Sequence, residues 1–186
     1  MSHGTRVKSL IVRPTDVAPQ AWANGLGVTR VLAARPGWRI SLAEIEGRMP
    51  FSPFLGADRL LIPLSPAGVA LEINGRVSRV PQHSAITFRG EDQVFADTGS
   101  GRVTVVNLMA RRSSGRMQWA IRRVSGAIAE TADAIVVLAG RVEVRGEVAP
   151  PGAVIRPDAR SIAVSSPDAS IAIMRVRERR RDRPRL

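Results

Sequence analysis

The dipeptide Asn74-Gly75 stands between two short runs, residues 69–73 and 76–80, in which apolar and polar side chains interleave. A type I′ hairpin turn needs positive φ at both central residues, which Asn-Gly adopts readily, so the two runs are expected to pair as antiparallel strands. The pattern continues on both sides. Segments 59–64, 85–88, 94–97 and 102–109 are short and rich in aliphatic residues, and 81–84 and 98–101 supply turns between them. Strands at roughly eight- to twelve-residue spacing, with almost no helical periodicity, predict an all-β chain folded as an antiparallel sandwich or barrel.

The N-terminal segment fits the same class. Residues 8–12 alternate weakly before Pro14, and Thr15 is placed to cap one helical turn within 15–23, which Pro19 keeps short. Strands are expected at 28–34 and 38–45, joined by a Pro36-Gly37 turn. Asn24-Gly25 with Gly27 marks a tight turn where the backbone can approach another group closely. After Ser113-Ser114-Gly115, a strand at 117–124 and a loop or short helix at 125–133 lead into 134–138, 141–144, 153–155, 161–164 and 170–176. These repeat the order of strands and turns in 60–88. The repetition divides the chain into a first half, 1–112, and a smaller second half, 113–174, two related β units packed together and followed by an Arg-rich tail, 175–186.

Composition limits the function. The 186 residues suffice for one full core, or for two small units sharing one. No cysteine is present, which excludes disulfides, thiolate metal sites and a thiol nucleophile, and fits a reducing compartment. The first ten residues lack the apolar stretch of an export signal and no apolar run approaches bilayer length, so a cytoplasmic chain with no membrane partner is expected. Net charge is +12, but residues 175–186 carry seven arginines against Glu178 and Asp182, and the remainder is dispersed. Nucleic acid is therefore not expected as a partner of the body. Only the tail offers it an electrostatic contact.

One stretch differs from the rest. Residues 22–59 hold four of the chain's seven aromatic side chains (Trp22, Trp38, Phe51, Phe54), together with Asn24, Thr29, Arg30, Arg39, Ser41 and Arg59. An apolar wall with a few fixed polar groups is the composition of a small-molecule site. Along 38–45 the period of two puts Trp38, Ile40 and Leu42 on one face and Arg39, Ser41 and Ala43 on the other. If the second face lines a barrel mouth, Arg39 can hold a carboxylate bidentately while Ser41 adds a hydrogen bond; if it meets solvent, Arg39 is a surface charge. Asn107 interrupts the apolar run 103–109, so its amide is either met by a neighbouring turn or faces a cavity. Arg59 either joins that cavity or pairs with Asp58, and Phe51 and Phe54 are either ligand walls or core plugs.

Other chemistries find little support. Only His3 and His83 are present, and carboxylates alone favour hard cations, so no metal and no other cofactor is expected. No nucleophile elbow occurs, and the only candidate base beside a serine is His83 next to Ser84, whose side chains point apart.

The blocks Trp22-Ala23-Asn24-Gly25-Leu26-Gly27-Val28-Thr29-Arg30, Trp38-Arg39-Ile40-Ser41-Leu42-Ala43 and Pro50-Phe51-Ser52-Pro53-Phe54-Leu55-Gly56-Ala57-Asp58-Arg59 resemble, in order, signature blocks of the HutD/Ves family. Phe88-Arg89-Gly90-Glu91-Asp92 and Asn107-Leu108-Met109-Ala110-Arg111-Arg112 extend the resemblance. It implies a cupin-type antiparallel β-barrel fold in a bicupin-like arrangement, with a metal-independent pocket in the first half. It also implies a regulatory or sensing role in histidine utilisation, with a small acidic metabolite such as urocanate or an N-formyl or formimino glutamate as ligand. The ligand-binding candidates are Trp22, Asn24, Thr29, Arg30, Arg39, Ser41, Phe51, Phe54, Arg59 and Asn107. Leu26, Val31 and Val106 depart from the family pattern, where a glycine and two acids are usual. Two alternatives remain: a cupin enzyme acting on a small carboxylate through Glu44, Glu46 or His83, and a nucleic-acid or protein-binding module acting through arginines.

Overall fold

The structure, a computed structural model, describes residues 9–22, 25, 27–159 and 161–177. The chain forms β1 (Ile11–Val12), a 3-10 turn (Pro14–Asp16), β2 (Gln20–Ala21), β3 (Gly27–Arg35), β4 (Trp38–Pro50), β5 (Ala57–Pro63), β6 (Val69–Ile73), β7 (Arg76–Val80) and β8 (Ile86–Arg89). There follow β9 (Val94–Arg111), β10 (Arg116–Thr131), β11 (Ala134–Gly140), β12 (Val142–Val144), β13 (Glu147–Ala149), β14 (Val154–Ile155) and β15 (Ser161–Arg177). No α-helix occurs among the described residues, and the all-β expectation holds.

The strands make two antiparallel sheets. One runs β2-β3-β4-β9-β5-β8, with the β6–β7 hairpin attached to β9; the other runs β1-β14-β11-β15-β12-β13, with β10 on β15. The β6–β7 turn is the expected one, with Asn74 at φ 49° and Gly75 at φ 80°. Several strands are longer than their turn-like residues suggest. Residues 94–111 form one strand because β4 extends to Pro50 and pairs with both of its parts, and the irregularity between Glu46 and Arg48 absorbs the glycines at 99 and 101. There the Gly47 N–H donates to Thr98 Oγ1 at 2.8 Å, so the bulge leaves this donor satisfied. Residues 125–133, expected as loop or helix, belong largely to β10, where Gly126 (φ 91°) marks a bulge and not a chain reversal. The N-terminal turn is capped by the Asp16 carboxylate, which accepts the Arg13 N–H at 3.0 Å, and not by Thr15.

Two segment boundaries also move. β1 pairs with β14, so the start of the first half contributes to the second sheet. β15 runs through Arg177, with Val176 packed against the core, so residues 175–177 are strand and not tail; residues 178–186 lie outside the described residues.

Alternation along the strands sorts the core into three layers. Ile40, Leu42, Leu60, Ile62, Val106 and Leu108 point from the first sheet onto Ala134, Val136, Leu138, Ala172 and Met174 of the second. The opposite face of the first sheet gathers Ala43, Ile45, Met49, Phe51, Leu61, Leu71, Phe88 and Val105. Ile135, Val137, Ile155, Ile171 and Ile173 fill the inner side of the second sheet. With both faces of its central strands covered by apolar side chains, the first sheet can place polar groups out of solvent only where its inner face opens into a cavity.

Candidate ligand-binding site

Strand register brings the inner-face side chains of β3, β4, β9 and β5 into rows. Ser41 is opposite both Val31 and Asn107, and Met109 lies between Arg39 and Arg59. Together with Trp22, Thr29, Phe51 and Phe54 these residues line a cavity of about 220 Å³. This is roughly the volume of seven waters at about 30 Å³ each, and it falls below the ~300 Å³ at which drug-sized ligands begin to fit. Broader clefts of about 570 and 490 Å³ lie along β10, but Arg116 and Trp119 beside them are exposed and neither cleft contains an unpaired buried polar atom.

The cavity is lined by two arginines, Arg39 and Arg59. Arg59 is 5 % exposed, and its Nη1 donates to the Ser52 carbonyl at 3.2 Å, while Nε has no hydrogen-bond partner among the described residues. Its guanidinium carbon lies 5.0, 5.2 and 4.9 Å from the ring centroids of Phe51, Phe54 and Phe88. Cation–π attraction offsets part of the desolvation, at about 0.5–2 kcal/mol per contact. Burial, and then repulsion from Arg39, lower the Arg59 pKa from its ordinary value to about 10. Arg39 lies 5.4 Å from the Phe54 ring, and its Nη2 is 3.4 Å from the Met109 sulfur. No Asp or Glu is among the described residues lining the cavity. Beside the two cations, Asn107 is buried with its Oδ1 unpaired, and Ser41 is 2 % exposed. An anion offering a hydrogen-bond donor of its own would satisfy all of these groups.

Eight of the ten candidates from the sequence thus meet around one space: Trp22, Thr29, Arg39, Ser41, Phe51, Phe54, Arg59 and Asn107. Arg30 does not join them. Adjacent strand residues point to opposite faces, and Arg30 leaves β3 on the side away from Thr29, where its Nη1 bonds Glu44 Oε1 at 2.6 Å. Asn24 lies outside the described residues. Trp22 is held by its indole N–H, which donates to Thr29 Oγ1 at 2.6 Å, and by packing on Gly27, where a Cβ would lie 3.2 Å from the ring. Phe88, Met109, Ser52 and Val31 were missed; Met109 could have been found, since it stands two residues from Asn107 on the same face of β9. Asp58 pairs with Arg112 at 3.0 Å and leaves Arg59 free of it. Glu44 and Glu46 are engaged by Arg30 and Arg102, and His83 sits in a turn at φ 58° away from the cavity lining. Among the described residues no group of three or more His, Cys, Asp or Glu side chains could hold a metal ion, and no helix is long and apolar enough to cross a membrane.

The family model HutD matches residues 14–176. The chain belongs to the HutD family. An uncharacterized 21.2 kDa protein in the hutC 3′ region of Pseudomonas putida is 32 % identical over 119 residues, and protein Ves of Citrobacter koseri is 34 % identical over 99. These alignments cover 59 % and 49 % of this chain, and span 63 % and 52 % of those relatives' lengths. In three dimensions this HutD-family chain is similar to HutD from Pseudomonas fluorescens SBW25, with a TM-score of 0.74 at 24 % identity, covering 90 % of this chain and 98 % of that one. A cupin 2 conserved barrel domain protein from Leptotrichia buccalis follows the same fold more distantly, with a TM-score of 0.59 at 13 % identity over 81 % of this chain and 89 % of that one. The fold is cupin-type.

Proposed function

We propose that this HutD-family protein binds a small carboxylate metabolite between Arg39 and Arg59, and that the bound state serves a regulatory or sensing role in histidine utilisation. The observation that carries the reading is Arg59, a buried guanidinium that faces three phenyl rings and a second arginine and has an unpaired Nε. A buried charge of this kind opposes folding unless a ligand neutralises it. Arg39 and Arg59 supply the charge-assisted hydrogen bonds, Ser41 adds a further polar contact, and the aromatic side chains keep water from the pair. The link to histidine utilisation comes from the relatives, one of them lying in a hutC region. Urocanate and N-formyl or formimino glutamate are the candidate ligands, since both combine a carboxylate with an N–H suited to Asn107 Oδ1.

Calorimetric titration with urocanate and N-formylglutamate tests the reading. Removing one partner of a desolvated charged pair costs about 2–5 kcal/mol, so Arg39→Ala should weaken binding by roughly thirtyfold or more. Arg13→Ala, on the surface where Arg13 bonds the Val148 carbonyl, should bind like the parent protein. No binding by the parent, or equal affinities for the two variants, would return Arg39 to the status of an ordinary charge.

A further inference from the structure

Of the signature blocks, Phe88 to Asp92 and the last two residues of the block Asn107 to Arg112 add nothing to the cavity lining apart from the Phe88 ring under Arg59. Gly90, Glu91 and Arg112 gather instead behind the loop that carries Phe51 and Phe54. The Phe54 N–H donates to the Gly90 carbonyl at 2.7 Å and the Gly90 N–H to the Ala57 carbonyl at 2.8 Å. A methyl group on Gly90 would overlap the Phe54 carbonyl, so this approach requires glycine. Glu91 accepts the Gly56 N–H at 2.6 Å and is bridged by Arg112 Nη2. Arg112 Nη1 also donates to the Ala57 carbonyl at 2.8 Å and to Asp58 Oδ1 at 3.0 Å, and the Arg112 backbone N–H reaches the Gly56 carbonyl at 2.8 Å. The loop is therefore tied at residues 54, 56, 57 and 58. Leu55, at its tip, is 83 % exposed.

We infer that Gly90, Glu91 and Arg112 are positioning residues for the ligand site, forming a clamp that holds the Phe54 ring over Arg39 and Arg59. The inference rests on the ligand reading above and extends it to residues that no ligand in the cavity would touch. Phe54 is the ring within cation–π distance of both arginines, at 5.4 and 5.2 Å. Held there, it keeps water from the two guanidiniums, and charge-assisted bonds to a carboxylate are stronger in that drier setting. A released loop leaves the cations in place but opens the site, so the ligand departs faster. The Arg112 and Glu91 side chains are each only partly covered, and an ion pair at that exposure contributes little to global stability. Its loss should therefore appear in the loop and in binding, not in the fold.

Arg112→Ala and Glu91→Gln, each alone and combined with Phe54→Ala, would be titrated with N-formylglutamate and urocanate and followed by stopped-flow fluorescence. Amide hydrogen exchange of Phe54, Gly56, Ala57 and Gly90 would be measured without ligand. Each clamp substitution should raise Kd by about fivefold or more, chiefly through faster dissociation, and its effect should shrink to less than about twofold once Phe54 is alanine. The loop amides should exchange about tenfold faster, while the melting temperature stays within about two degrees of the parent. Leu55→Ala should leave binding and exchange unchanged. Unaltered exchange in Arg112→Ala, or a full clamp effect that persists in the Phe54→Ala background, would overturn the inference. If the parent protein binds neither ligand, the ligand reading fails, and the clamp then stands or falls on the exchange rates alone.

Discussion

Arg59 occupies a position on β5 whose inward neighbours, Ala57 and Leu61, are both buried apolar residues. A charge there is desolvated without a carboxylate, so its replacement by a flexible apolar side chain of similar length should relieve the fold. Arg59→Met is expected to raise ligand-free stability by about 1 kcal/mol or more, by analogy with buried charges exchanged for apolar side chains. The same change should abolish the rise in melting temperature that the proposed binding of N-formylglutamate would give the parent protein. Thermal denaturation with and without the ligand checks both parts. The pH dependence has a defined sign. Because the folded-state pKa of Arg59, about 10, lies below the ordinary guanidinium value, the unfolded chain holds more protons from about pH 10 up to that value. The parent should therefore gain stability as pH rises through that window, and Arg59→Met should lack the gain. At this scale Arg39 and Ser41 were readable from the period of two, whereas the environment of Arg59 was not. Nothing local distinguished a pairing with Asp58 from a place in the cavity, since Asp58 is taken by Arg112, in the turn that follows the distant strand β9.

Among the elements, register decides what the alternation leaves open. Asn107 faces the cavity because β9 lies between β4 and β5 with Ser41 as its cross-strand partner, and that pairing joins positions far apart in the chain. Turn-forming residues were misread wherever a long strand could absorb them as bulges, as at Gly126. The loop between β4 and β5 depends on the turn between β8 and β9, where Glu91 accepts from Arg112 and from the Gly56 N–H. Those bonds, led by the one from Arg112, hold its pKa down at about 2, from 4.5. A carboxylate with a depressed folded-state pKa contributes stability that is fully present above its unfolded pKa and is lost as pH falls through the folded one. Exchange of the Gly56 amide should therefore quicken as pH falls from about 4.5 toward about 2, beyond the intrinsic trend of a free peptide. Glu91→Gln should remove this acid-dependent component. An unchanged pH profile in that variant would show that Glu91 does not govern the loop.

For the molecule as a whole, the last described residues of β15 belong to the folded body. Arg175 donates to the Thr131 carbonyl and to Glu130 at 3.3 Å, and Val176 packs against the layer between the sheets. Residues 178–186 hold five arginines, two acids, Pro184 and Leu186, a composition with little apolar surface to bury, so truncation after Arg177 should leave the melting temperature nearly unchanged. Truncation after Met174 should lower stability by about 1–3 kcal/mol, since Glu130, 8 % exposed, would lose one of its two arginine partners. Paired thermal melts of the two truncations distinguish these outcomes. The sequence by itself determined the all-β class, the hairpin at Asn74-Gly75, the absence of thiol chemistry and the concentration of aromatic and polar residues between Trp22 and Arg59. These are local properties, set by turn conformation, side-chain alternation and composition. Only the tertiary structure decided that Arg39 and Arg59 share a cavity with no carboxylate among its described lining residues, that Arg30 turns away to Glu44, and that Arg112 is bonded to the loop that carries Phe54. Alternation states that a strand has two faces, but which face becomes interior, and which charges meet there, depends on pairing with strands many residues away.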